Sequence, residues 1–503
     1  MFRIVKSSSM YITVMSIIAS LLFVSIAVAQ DAPNSTDDLP GQGWWTGIQL
    51  QNVGANKANV SVSSYQANSA AAPISKSVEV AENGSTTLLP QDLNLSNGFQ
   101  GSAVVSSDQP LNAIVNVTNR LAAGNGIAGG LAAAQYQGVN SPATELRFPL
   151  VKRDHFGKTT TFSIQNAGSV AAKVTATFKV AGGTFTFESP LVEPGRMVII
   201  NPSAAGVPSG NNVSVGSLTV TSSQAMAGVV SEHGSEQPAV LLQSTRAFTL
   251  QDGNAKAYAP IIKNEYFNRF TGLQVQNLSG GNIDITVTYN GSGGSCAGQT
   301  YTNSATGVTS GSSHTFVHLV GQPGNTMPTG CLASATIEAS GNNNVVAIVN
   351  EAFTGAFLNG GGNGGRQEAT TYSAFPASTA TNTVKAPLYK ENSFNKGTGL
   401  QIQNVGGSTA TNVVATFVGS GGTYVTKPQT INSLGSLTLV EMFKKADKFN
   451  GTPIPADISG SAGVFGVTIT SDQPIVAIAN ESTYPFGNSS IQQDKNNYEA
   501  FNQ

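Results

Sequence analysis

Thr398-Gly399-Leu400-Gln401-Ile402-Gln403-Asn404 alternates apolar and polar residues and ends on Gln-Asn before a Gly-containing turn. Alternation with period two sends every second side chain to one face, which is the pattern of a half-buried β-strand. The same ending recurs at Gln51-Asn52, Gln165-Asn166 and Gln276-Asn277, after Ile48/Leu50, Phe162/Ile164 and Leu273/Val275. The intervals are 114, 111 and 127 residues, and 100 residues follow the last copy. Such a period is the length of a domain, too long for a solenoid coil or a propeller blade. The chain reads as four tandem copies of one unit.

Further strands follow in each copy. A second alternating run appears at Val60/Val62, Val174/Ala176/Phe178, Ile285/Val287/Tyr289 and Val413/Ala415/Phe417, with mid-unit strands such as Arg196–Ile200 and Ser436–Val440. Ser107-Asp108-Gln109-Pro110 and Ser471-Asp472-Gln473-Pro474 read as type I turns, with proline ending the ladder. An apolar strand comes next in every copy (Leu111–Val117, Ala225–Val230, Val345–Val349, Ile475–Ala479), and a last strand closes each near Tyr136, Phe248, Tyr372 or Tyr498. About seven strands in such a length predicts an all-β chain of four immunoglobulin-like antiparallel sandwiches. The units are 30–140, 141–254, 255–380 and 381–503, with one helix candidate at Glu441–Asp447. Short linkers near 141, 255 and 380 predict a stiff rod.

Residues 1–29 read as a cleaved signal peptide. Arg3 and Lys6 precede an apolar stretch from Tyr11 to Val28, and Ala27-Val28-Ala29 before Gln30 is an A-x-A cleavage site. The expected location is therefore secreted, at the cell surface or in the extracellular matrix, with no membrane insertion after cleavage. Only 10% of residues are charged and the net charge is −2, so no basic field exists to attract nucleic acid or anionic lipid. Cys296 and Cys331, the two cysteines, are expected to pair in an oxidising compartment, the alternative being two unpaired thiols.

The Asn-x-Gly turn, as at Asn404-Val405-Gly406, followed by Ala-x-x-Val alternation, resembles bacterial extracellular Ig-like domains of the CARDB (cell-adhesion-related) kind. The Ser-Asp-Gln-Pro turn before an apolar strand is similar to repeats in secreted bacterial surface proteins. The resemblance implies a spacer or adhesion role and carries no catalytic residues.

The histidines (His155, His233, His314, His318) lack metal-binding spacing, and no GxSxG nucleophile elbow occurs. His314 and His318 read as exposed residues of one strand. Gly124–Gly130 and Gly360–Gly365 read as hairpin loops, since the Lys-Ser/Thr of a phosphate loop is missing. One pairing recurs. Lys152, Lys263 and Lys390 open units two to four, and Glu232, Glu351 and Glu481 end their penultimate strands. The first unit lacks the opening lysine and has Val117 in place of the acid. Residues that come and go together imply contact. Three explanations stand: structural salt bridges, a calcium site adding Asp154, Glu265 or Glu391, and a Lys–Asn isopeptide bond using Asn350 or Asn480. Where the others have Lys158, Arg269 and Lys396, the first unit has Trp44. Parity sends Trp44 inward and Trp45 outward, where Trp45 would dock a sugar or a partner or be covered by residues 30–41.

The expected function is non-enzymatic: a secreted structural or adhesion repeat protein acting as a spacer or self-assembling filament or coat subunit. The alternative is a carbohydrate-binding matrix or cell-wall protein. No cofactor is expected beyond the calcium option, and the expected partners are further copies, surface components or glycans.

Overall fold

The structure, a computed structural model, describes residues 21–26, 39 and 44–502, apart from 68, 83, 120–132, 235–240, 323, 354–368, 394–395, 441–447, 456–457 and 484–494. Among these residues it is all-β, with short 3-10 turns and no α-helix. The segment Glu441–Asp447 and both glycine-rich loops lie outside the described residues.

The first span is built from β1 (Leu21–Ile26), β2 (Trp44–Asn52), β3 (Ala58–Gln66), β4 (Ile74–Val80), β5 (Ser85–Leu88), β6 (Gly101–Ser107), β7 (Leu111–Asn119) and β8 (Ala133–Gln137). They form two sheets, β1-β6-β3-β4 and β5-β2-β7-β8, with every neighbour antiparallel. The second span has β9 (Ala143–Val151), β10 (Lys158–Asn166), β11 (Val174–Val180), β12 (Gly183–Glu188), β13 (Met197–Ile200), β14 (Gly216–Gly234) and β15 (Leu242–Arg246). Here one long strand, β14, pairs with β9 and β11 in its first half and with β10 and β15 in its second.

The third span has β16 (Lys256–Asn264), β17 (Arg269–Asn277), β18 (Ile283–Gly294), β19 (Thr300–Val308), β20 (Ser313–His318), β21 (Cys331–Ala339), β22 (Val345–Phe353), β23 (Ala369–Ser373) and β24 (Phe375–Pro376). The fourth has β25 (Thr381–Lys390), β26 (Lys396–Asn404), β27 (Ala410–Gly419), β28 (Gly422–Val425), β29 (Gln429–Ile431), β30 (Ser436–Val440), β31 (Val464–Thr483), β32 (Lys495–Glu499) and β33 (Phe501–Asn502).

Alternating residues from both sheets meet in a buried core, for example Leu146, Phe148, Phe162, Ile164, Phe178 and Leu218 in the second span. The layering is that of a β-sandwich. The strand order is not that of a constant immunoglobulin domain, whose first strand lies beside its second. Here the opening strand pairs with the first strand of the long crossing pair, as β1 does with β6 and β16 with β21.

Ser471-Asp472-Gln473-Pro474 does not reverse the chain. It lies inside β31, which continues from Val464 to Thr483 while its partner changes from β27 to β26. Asp472 accepts from Thr411 N at 3.0 Å and Thr411 Oγ1 at 2.7 Å, fixing the bend to the start of β27. Pro474 falls where the ladder changes partner, so its missing N–H falls at the gap between the two ladders. Cys296 and Cys331 form a disulfide, with Cα atoms 5.1 Å apart, at the β18–β21 end of the third span. Closing a loop of 35 residues contributes roughly 4 kcal/mol on the chain-entropy model.

The spans do not line up as a rod. The closing strands touch in a cycle, β8 with β15, β15 with β23, β23 with β32, and β32 with β8. Val229 and Leu242 of the second span join the core of the first, and Val476 and Ile478 of the fourth join that of the third. Leu150 and Phe248 pack on Val346 and Ile348, joining the second and third spans. Ile114 of the first span joins the core of the fourth, and Gln137 Nε2 donates to Glu499 O at 2.7 Å. Each contact is head-to-tail, and such contacts make a ring when the rotation closes. The expectation of an extended rod is corrected on this point: apolar residues on the outer face of each central strand need cover, and the neighbouring span supplies it.

Candidate functional site

The repeated Gln-Asn pair has two separate tasks. Each asparagine is buried and closes its own loop: Asn404 Nδ2 donates to Ser408 O (2.8 Å) and Ile431 O (2.9 Å), while Oδ1 accepts from Gly406 N (2.9 Å). Asn52, Asn166 and Asn277 make the matching bonds. The glutamine faces a turn carbonyl that also holds the preceding span. Gly195 O accepts from Gln165 Nε2 at 2.8 Å and from Ser102 Oγ of the first span at 2.6 Å. Gly311 O accepts from Gln276 (3.0 Å) and Ser217 (2.7 Å), and Leu434 O from Gln403 (3.3 Å) and Ser334 (2.8 Å). At the fourth junction Gly466 stands where the three serines stand, and a side-chain carbon there would lie 3.8 Å from Gln51 Nε2. The serines share only a small residue before them and an alternating apolar run after them (Gly101-Ser102-Ala103, Gly216-Ser217-Leu218, Ala333-Ser334-Ala335), a context too common in strands to stand out.

The lysines and acids meet within each span. Lys152 Nζ is 2.8 Å from Glu232 Oε2, Lys263 Nζ 2.9 Å from Glu351 Oε2, and Lys390 Nζ 2.7 Å from Glu481 Oε2. Lys158 and Arg269 add second cations at 3.6 and 3.8 Å from Glu232 and Glu351. Burial works against ionising Glu232, but Lys152 and Lys158 outweigh it and hold the carboxyl below its ordinary value. Burial, followed by the Lys152 charge, brings the neighbouring His155 down to about 4. A threonine that the sequence reading missed completes each clasp. Thr160, Thr271 and Thr398 lie opposite the three glutamates, and each hydroxyl accepts the backbone N–H of the opening lysine at 3.0 Å. In the first span Thr46 keeps the threonine's place opposite Val117, which replaces the glutamate, and Trp44 stands in the place of Lys158 and Arg269; Trp44 and Val117 both lie within the apolar core.

Each glutamate faces ammonium or guanidinium groups, and among the described residues no group of three or more His, Cys, Asp or Glu side chains is placed to hold a metal ion. Asp154 accepts from Ser209 Oγ at 3.2 Å in a hairpin turn, Glu265 lies in the equivalent turn, and Glu391 is buried with its N–H bonded to Gly463 O. For the isopeptide option, Asn350 Nδ2 of the third span lies 3.3 Å from Glu232 Oε2 of the second, so this pair reaches across a junction. His318 is buried, bonded to Tyr289 OH (2.8 Å) and Thr271, and burial lowers it to about 4. It is not the exposed strand residue expected, because Tyr289 offers its ring a polar partner inside the core. His314 is exposed. Trp44 is buried and Trp45 half-buried, with a side chain at Gly47 reaching its ring at 3.5 Å.

The hairpins between the opening and second strands carry the exposed aromatics. Phe156 is 52% and Phe267 72% exposed, at φ 50° and 51°. An aromatic residue in the left-handed region is strained, and such strain gathers at functional positions. Each packs edge-on against its neighbour, His155 or Tyr266. Trp44 lies opposite Asn119 and Lys158 opposite Gly234, so each hairpin lies at the sheet end where the penultimate strand finishes. A groove of about 260 Å³ between the first two spans is lined by Ala70, Leu191, Glu193 and Arg196. Among the described residues no helix is long and apolar enough to cross a membrane.

No family model and no curated protein matches the chain. Among solved structures, "Crystal Structure of Thermotoga maritima 1070" aligns at 13% identity over 24% of this chain and 95% of that one, with a TM-score of 0.20. The Anabaena sensory rhodopsin transducer aligns at 12% over 18% and 89%, TM-score 0.14. A tetra-tandem repeat from the extending region of a large adhesion protein aligns at 13% over 96% and 99%, TM-score 0.10. At these scores the similarities carry no argument about fold or role.

Proposed function

We propose that this chain is a secreted structural or adhesion protein of the bacterial surface or matrix, built from four immunoglobulin-like sandwich units closed into a ring. The observation that supports this reading is where the repeated residues go. The Gln-Asn pairs, the lysine–glutamate clasps and the apolar outer faces all serve architecture, which leaves the hairpins with exposed Phe156 and Phe267 for contact with a partner. Self-assembly into filaments would then need surfaces other than the faces used between units. Small-angle scattering on the purified mature protein tests the ring, and an extended rod would sink it.

The second reading, carbohydrate binding, rests on Phe156 and Phe267, whose rings are exposed and suit stacking on a sugar. A glycan array and cell-wall pull-down comparing the wild type with the Phe156→Ser/Phe267→Ser double variant decides this. At least tenfold loss of retention supports glycan contact at these hairpins; unchanged binding removes them from consideration.

A further inference from the structure

Among the described residues the first span has no opening strand between the expected cleavage site and β2, and β1 takes that place. In the other spans the opening strand lies on the same sheet edge with apolar residues in matching positions. Phe148 and Leu146 stand opposite Leu218 and Val220, Ala259 and Ala257 opposite Ala335 and Ile337, and Ala386 and Val384 opposite Val467 and Ile469. On β6, Val24 and Leu22 hold those positions opposite the buried Ala103 and Val105. The match extends to the next span: β9 touches β17 and β22, β16 touches β26 and β31, and β1 touches β10 and β14. A tyrosine on the closing strand adds a third correspondence. Tyr372 OH donates to Ile261 O at 2.6 Å and accepts from Ile261 N at 3.0 Å, and Tyr498 treats Leu388 in the same way at 2.7 and 3.1 Å. Tyr136 holds the same register on β8, and Ile26 stands two residues past Val24 as Ile261 and Leu388 stand past Ala259 and Ala386, but it pairs regularly with Gly101 where those two lie in a bulge.

Cleavage after Ala29 removes this strand. What remains is an edge, Gly101–Ser107, with neither charge nor proline, the features that normally protect an open edge from pairing. We propose that this slot is a strand-acceptor site for a partner polypeptide, which adds an extended, uncharged segment with alternating apolar residues antiparallel to β6. Residues 30–43 are poor occupants, since Asp31, Asp37 and Asp38 would bring charge over Ala103 and Val105, and Pro33 and Pro40 lack the N–H. Among its described residues a second copy has no spare opening strand, because β9, β16 and β25 are seated in their own sheets.

The inference rests on removal of residues 1–29, which N-terminal sequencing of the exported protein checks separately. The test titrates mature protein with a peptide of residues 20–29 carrying a solubilising lysine tail. Saturable one-to-one binding, slowed amide exchange over Gly101–Ser107 and at least tenfold weaker binding of the Leu22→Asp/Val24→Asp peptide are expected. Absence of binding overturns the proposal, as does protection of Gly101–Ser107 in the peptide-free protein, whether as a monomer that folds residues 30–43 back or as a dimer by light scattering. Retention of Leu21–Ile26 in the exported protein also overturns it, by making β1 the permanent opening strand.

Discussion

The first span and the three that follow solve the same structural problem with opposite chemistry. Where the later spans bury a glutamate against an opening lysine, the first has Val117 in the glutamate's place and Trp44 in that of Lys158 and Arg269, both in its apolar core. Ion pairs taken out of water pay a desolvation penalty that good geometry only offsets, so an apolar replacement of similar volume can be equally stable. The difference tracks the opening strand. A lysine is supplied within or directly after that strand where it is β9, β16 or β25. The first span, whose opening strand is Leu21–Ile26, has no lysine in that strand.

The most disruptive way to break this comparison is Val117→Glu. It inserts an acid where no opening lysine exists, and the expected loss is more than about 4 kcal/mol of first-span stability, since an unpaired buried charge is left. Chemical denaturation followed by Trp44 and Trp45 fluorescence reads this span, as they are the only tryptophans. Removing the acid from a later span, Glu351→Ala, strands Lys263 and is expected to cost about 3–5 kcal/mol. Exchange of the β16–β21 amides checks it, and a loss below about 1 kcal/mol would mean the clasp is ornamental.

Acidity sharpens the contrast further. His318 titrates near 4 in the folded state because burial disfavours its charged form, against 6.5 ordinarily. The folded state therefore binds fewer protons than the unfolded chain. Its contribution is complete above 6.5 and is lost as pH falls from 6.5 toward 4, by roughly 3 kcal/mol at most. Residues 30–140 contain no histidine. Amide exchange at pH 7 and pH 5 should show the third span loosening more than the first, and His318→Gln should flatten that difference. The smallest effect belongs to Lys57→Ala. Its pair with Glu79 is exposed at both ends and is expected to change stability by less than about 1 kcal/mol.

Much of this was legible in the chain. Alternation located the strands, and the Gln-Asn repeat marked the loops that Asn52, Asn166, Asn277 and Asn404 close. The joint presence of lysine and glutamate pointed to contacts that the structure places at 2.7–2.9 Å. The ring was not read, although a signal for it existed. Ile114 with Val115, Val229 with Val230, and Ile478 with Ala477 and Ala479 are adjacent apolar residues, the mark of a strand covered on both faces. The turn carbonyls and the serines that reach them left no pattern, since a backbone acceptor has no side-chain identity and Ser102, Ser217 and Ser334 are common residues in ordinary strands.

Gly466 gives the ring an asymmetry of assembly. Three of its junctions join spans that are consecutive in the chain, and each has a serine bonded across it; the fourth, between the last span and the first, has neither link. Its two faces are nevertheless tethered, and tethering of this kind supplies an effective concentration on the order of millimolar. A junction too weak to hold separate molecules together would still stay shut here. The ring behaves like a necklace whose clasp can be the feeblest link because the string already brings its ends together.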